Sequence, residues 1–234
     1  MLERFQYAMA WLALKCLQIL PRPVARWVAA NVAALLFRIW PVWGKVAMFN
    51  LGLAFPDWTD AERRRVVKQM VRNFGWMAAE FARFPVYTRE NIESAVVLDG
   101  FENFAEAERR GKGVLFLTGH FGAWELKPFA HALFHRPLYF LARPIDNPRV
   151  NELVNRYRGL SGNQPISKNE SARAVLRVLR DGGAVEDRRG HRNLRSGRCR
   201  CGYAVRHRRP ATTKRSTDKG RGAWLVRRHH LSVC

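Results

Sequence analysis

Gly113-Val114-Leu115-Phe116-Leu117-Thr118-Gly119-His120-Phe121-Gly122-Ala123-Trp124-Glu125-Leu126 is the stretch on which the reading of this 234-residue chain turns. Residues 113–118 form a short, continuous apolar run, the pattern of a strand covered on both faces. From Gly122 to residue 134 the pattern is helical. Pro128 falls in the first turns, where its missing N–H is tolerated. A buried strand that ends in a glycine turn and feeds a helix puts His120 at the C-terminal edge of a sheet. In open parallel sheets that edge is where ligands bind.

Working outward, strands and helices alternate. Residues 95–98 read as a strand, 102–110 as a helix stopped by Gly111, 137–142 as a strand, and 148–160 and 170–180 as helices. Ala184 and Val185 open one more buried strand. This alternation predicts an α/β fold with a mostly parallel sheet flanked by helices. Upstream, Thr59-Asp60-Ala61-Glu62 has the form of a capping box. Val67, Met70, Val71, Phe74, Met77, Ala78 and Phe81 follow it at helical spacing, as one long amphipathic helix closed by Pro85.

The N-terminal region is apolar but interrupted. Residues 5–20 contain Lys15, and residues 24–43 contain Arg26, Arg38 and Pro41. Neither is a clean run of about 20 uncharged residues. The expectation is a membrane-associated helical segment over residues 1–44, one tilted span or two surface helices. Trp11, Trp27, Trp40 and Trp43 would be its interfacial anchors. No small-residue cleavage site marks a secretory signal.

The net charge of +22 speaks of partners, not of fold. Residues 187–234 hold 15 Lys/Arg against Asp187 and Asp218, and contain no Phe, Ile, Met, Glu or Gln. All 14 Phe lie before them. The α/β pattern stops at the start of a strand, and an Arg-, Cys- and His-rich sequence takes over. That abrupt change is the signature expected of a reading-frame shift near residue 185, with an irregular basic tail after it; a genuine basic tail is the alternative. The domains are therefore read as 1–44, an incomplete α/β unit over 45–186, and the tail over 187–234. Cys199 and Cys201 are separated by one residue with no second matching pair, so no metal site is expected.

His120 and Glu125 are the candidate catalytic pair. With the His in the turn and the Glu at the helix start, the carboxylate can hold one imidazole nitrogen as an N–H donor. The other nitrogen is then a general base able to deprotonate a hydroxyl attacking a thioester. His131 and His135 fall on the helix and are read as packing or solvent-facing residues.

The spacing alone is weak; its surroundings are specific. The segment resembles the His-x4-Asp/Glu block of the lipid A lauroyl/myristoyl acyltransferases, within the wider glycerolipid acyltransferase superfamily. Phe49-Asn50-Leu51-Gly52-Leu53-Ala54-Phe55-Pro56, Asn73-Phe74-Gly75 with Glu80, Ala142-Arg143-Pro144-Ile145-Asp146-Asn147-Pro148, and Asn155-Arg156-Tyr157-Arg158 with Gly162 resemble flanking blocks of that family. The resemblance runs over residues 5–185. It implies transfer of a fatty acyl chain from acyl carrier protein to a hydroxyl of a lipid A precursor, with His120 as base and Glu125 orienting it. It also implies Arg143 and Arg158 as ligands of substrate phosphates. No cofactor is implied beyond the carrier thioester. The partners implied are acyl carrier protein and a membrane lipid acceptor, at the cytoplasmic face of the bacterial inner membrane. Acylation of a glycerophospholipid is the nearest alternative. A non-enzymatic remnant or a basic nucleic-acid-binding protein is the alternative of another class, although the tail shows no nucleic-acid-binding motif and no nucleic-acid partner is expected. The family's next strand, loop acid and Phe-Phe-Gly-type segment are not visible after residue 186, so the chain as written is expected to be unstable or inactive.

Overall fold

The structure, a computed structural model, describes residues 1–118, 122–167, 171–187 and 204–207. The N-terminal region folds as α1 (Leu2–Ile19), α2 (Arg22–Ile39) and α3 (Pro41–Ala54), followed by α4 (Asp60–Ala82). Where one tilted span or two surface helices were expected over residues 1–44, there are two helices, and a third begins at Pro41 and runs on to Ala54. Pro41 opens α3, at the first helical position, where its fixed φ suits the turn and its missing N–H is not needed. No single described helix is long and apolar enough to cross a membrane. α2 and α3 have the length and composition together, but they are bent by 90° at Trp40.

α4 starts on the expected capping box. The Glu62 N–H donates to Thr59 Oγ1 at 3.3 Å, and the Thr59 N–H donates to Glu62 Oε2 at 2.8 Å. Its small residues Gly75 and Ala79 pack on Ala25, Ala29 and Ala30 of α2. A Cβ on Gly75 would lie 2.5 Å from the Ala29 carbonyl oxygen and 2.5 Å from Ala30 Cα, so only glycine allows the two backbones this close. One turn on, the buried Glu80 carboxylate meets Arg22 Nε at 2.9 Å and Arg26 Nε at 3.8 Å, and it accepts a hydrogen bond from the Tyr87 hydroxyl. These partners offset the cost of taking a carboxylate out of water. Burial, with Glu80 as neighbour, pushes the Tyr87 phenol well above its ordinary range.

After a 3₁₀ turn at Phe84–Val86 come α5 (Arg89–Ile92), β1 (Val96–Asp99), α6 (Phe101–Arg109), β2 (Val114–Leu117), α7 (Leu126–Phe134), β3 (Tyr139–Ala142), α8 (Pro148–Gly159), β4 (Gln164–Ser167), α9 (Ser171–Arg180) and β5 (Ala184–Asp187). A parallel four-stranded sheet forms in the order β2-β5-β3-β4, which gives the α/β class read from the sequence. Two details differ from that reading. β1 lies outside this sheet and pairs antiparallel with β6 (Ala204–His207), a strand inside the tail, where no periodicity had announced one. β4 was not foreseen; as the edge strand of the sheet it can carry Pro165 without losing a central ladder bond.

Aromatic side chains supply much of the bulk of the core. Phe84, Tyr87, Ile92, Leu126, Phe129 and Tyr157 form its main cluster, with the Phe84 and Phe129 rings stacked at 4.0 Å. Phe104, Val114, Phe116, Leu138 and Ala184 form a second cluster.

Candidate active site

Because the sheet is parallel, the C-terminal ends of β2, β5, β3 and β4 lie on one edge. That edge therefore carries Thr118, directly after β2, and Arg143, directly after β3. His120 itself lies, with Gly119 and Phe121, outside the described residues. The chain is described again from Gly122, whose φ of +57° is a left-handed conformation that glycine adopts without strain. α7 begins four residues later, at Leu126. The helix expected from residue 122 is thus shortened at its start, and Glu125 occupies the N-cap position.

Glu125 is buried, with 8 % of its surface exposed, at the positive end of the α7 dipole. Arg158, in the last turn of α8, grips it through both guanidinium arms. Nη2 donates to Oε1 at 2.6 Å and Nε donates to Oε2 at 2.9 Å. The Arg158 guanidinium also lies 5.7 Å from the Phe140 ring centroid, on β3. This two-point, planar pairing fixes the carboxylate in a way that one lysine could not. A carboxylate has about four acceptor directions.

The structure thus brings two of the four sequence candidates together, Glu125 and Arg158. Arg158 is turned toward the carboxylate rather than toward solvent, with 17 % of its side chain exposed. Arg143 is exposed on the segment after β3. That segment is tied down at Asn147, which accepts from the N–H groups of Arg149 and Val150 to cap α8 and donates to the Glu3 carbonyl and Gln6 Oε1 of α1. Asn163 ties α7 to the start of β3, donating to the Pro128 carbonyl at 2.9 Å while the Leu138 N–H donates to its Oδ1 at 2.9 Å.

Sequence reasoning missed Glu186. On β5 it is 2 % exposed, opposite Phe116 of β2 and Phe140 of β3, and the Thr118 hydroxyl donates to its Oε1 at 3.0 Å. A buried carboxylate therefore stands beside Thr118, at the C-terminal end of the sheet. The signal was an acid directly after Ala184-Val185, which looks like a strand breaking off when no neighbouring strands are known. His131 is wholly buried, edge-on to Phe104 at 4.7 Å and Phe116 at 5.3 Å, which makes it a packing residue. Burial, and then the nearby charges of His135, Lys127 and Arg136, pull its pKa down to about 3. His135 meets Glu108 at 2.8 Å.

A family model described as bacterial lipid A biosynthesis acyltransferase matches residues 1–186. The chain is 24% identical over 183 residues to the lipid A biosynthesis palmitoleoyltransferase of Escherichia coli K12, covering 77% of this chain and 59% of that protein. Identity and coverage are the same for the lipid A biosynthesis lauroyltransferase of that organism. The lipid A biosynthesis myristoyltransferase, also of Escherichia coli K12, is 25% identical over 136 residues, covering 58% of this chain and 42% of its own length. The chain thus spans about three-fifths of the length of the first two curated relatives.

Proposed function

The chain belongs to the bacterial lipid A biosynthesis acyltransferases, and from that membership we propose that its sheet edge is built to move a fatty acyl group from an acyl carrier protein thioester to a hydroxyl of a lipid A precursor. The observation that carries the reading is the buried Glu125 carboxylate, held in place by Arg158 at the start of the helix that follows the His120 turn. Glu125 sets one imidazole nitrogen of His120 as an N–H donor. The other nitrogen takes the acceptor's hydroxyl proton as its oxygen attacks the thioester carbonyl. The tetrahedral intermediate collapses, the C–S bond breaks, and the imidazolium returns the proton to the departing thiolate. Arg158 acts through Glu125 in this scheme. Arg143, exposed at the same edge, is the group left to meet a phosphate of acceptor or donor.

The same reading puts the protein on the cytoplasmic face of the inner membrane. It is supported by the apolar side chains exposed along α1 to α3, among them Phe5, Trp27, Trp40, Trp43 and Phe49. It also takes residues 187–234 as out-of-frame sequence, supported by a family match that stops at residue 186. The 234-residue chain is then impaired in acyl transfer.

The test uses the chain with the neighbouring frame restored after codon 186. Acyl transfer from acyl carrier protein to a lipid A precursor is expected to appear, and His120→Ala to lower it by about 10²–10⁴. Retained activity in the His120→Ala variant would remove His120 as the base. Transfer only to a lysophospholipid would replace the acceptor.

A further inference from the structure

Between α2, α3 and α4 runs a groove of about 1280 Å³, above the roughly 300–1,000 Å³ of most small-molecule pockets. Its lining is of two kinds. Trp27, Phe37, Met48 and Val67 give an apolar wall, and Arg22, Arg26, Arg38, Arg64, Lys68 and Arg72 give six cations, with no Asp or Glu among the lining residues described. The charge has a focus. The Arg26 guanidinium lies 4.7 Å from the Trp76 ring centroid and that of Arg72 lies 5.5 Å from it, so two like charges converge on one indole. Glu80 answers Arg22 and Arg26 from behind the groove, and no described acid pairs with Arg72 or Lys68. A concavity lined by one sign of charge attracts an anion.

We propose that this groove binds an anionic phospholipid of the bilayer, its phosphate between Arg26 and Arg72 and its chains along Trp27, Phe37 and Met48. Charge complementarity accounts for the head and the apolar wall for the tails. The surroundings point to the bilayer as the source. Ile39, Trp40, Val42, Trp43 and Val46, at the α2–α3 bend that borders the groove, are all more than half exposed. A ligand reaching the groove from an apolar belt arrives from the plane of a membrane. An acidic protein surface would satisfy the cations and leave the concavity empty. The proposal does not rest on the acyl-transfer reading, and its test needs no acyl transfer.

The experiment titrates the full chain, held in a neutral detergent, with a fluorescent phosphatidylglycerol, and reads anisotropy. Saturable binding is expected, at least tenfold tighter than for phosphatidylcholine of the same chains. Arg26→Gln with Arg72→Gln should weaken it about tenfold. Arg109→Gln with Arg110→Gln, an equal loss of charge on α6, should change it less than twofold. If the Arg26 variant fails to fold, as its contact with Glu80 allows, Arg64→Gln with Lys68→Gln at the exposed rim takes its place, with a loss of about threefold expected. Equal weakening by the groove and α6 variants would overturn the proposal in favour of general surface charge. Equal binding of phosphatidylcholine would overturn the headgroup site. Displacement of the probe by a soluble phosphorylated glucosamine disaccharide at matched concentration would reassign the groove to an acceptor's headgroup.

Discussion

At the scale of single residues, the Glu125–Arg158 pair makes the sharpest demand. Neither side chain is more than a fifth exposed, and each charge is compensated by the other. Arg158→Met should destabilise the chain by about 3 kcal/mol, because the carboxylate then stays buried without its cation. Glu125→Leu should cost a similar amount. The double variant should cost clearly less than the two single costs added, since both charges go together. Urea denaturation of the four proteins measures this, and additive costs would mean that the two side chains act separately. His131 makes a second demand, on pH. Its pKa of about 3 lies below the roughly 6.5 of an unfolded histidine. Between those values the unfolded chain binds a proton that the folded chain refuses, so stability rises with pH there and is lost as pH falls from about 6.5 toward 3. The slope is at most about 1.4 kcal/mol per pH unit for one such group. His131→Leu should flatten that part of the stability curve, and an unchanged slope would place the titration elsewhere.

Elements show where sequence reading succeeds. β2 was legible because four apolar residues followed by Thr118 and two glycines have few other readings. α4 was legible because Thr59 and Glu62 announce its start and its apolar spacing gives the length. The failures have physical causes. Gly75 looked like part of a family block, but its local role belongs to the α2–α4 crossing, where backbones touch; no single-helix pattern encodes a crossing. Gly75→Ala should therefore destabilise the chain by about 1–3 kcal/mol, although alanine is the better helix former. Thermal unfolding checks it, and a stabilised variant would show that the two helices can move apart. The site was half legible. The His120–Glu125 spacing could be read, whereas the grip of Arg158 joins residues 33 positions apart and Thr118 joins Glu186 across 68. Contacts across such separations leave no mark in a single sequence.

For the molecule as a whole, the N-terminal helices do not behave as a detachable anchor. α2 shares a small-residue core with α4, and Arg22 of α2 neutralises the buried Glu80. Removing residues 1–44 should leave an α/β unit that aggregates or lacks cooperative unfolding, not a stable soluble fragment, and size-exclusion chromatography with thermal circular dichroism decides between them. A monodisperse fragment with a sharp transition would make residues 1–44 a separate module. The order of strands carries a further consequence, one that concerns synthesis. β2 and β3 have no ladder with each other; β5 joins them, although it is the fourth of these strands to be made. A nascent chain that has been made as far as α9 holds β2 alone beside the β3–β4 pair, each with an open edge. It is most exposed to proteases and chaperones in that interval, and translation through residues 184–187 is what closes the gap.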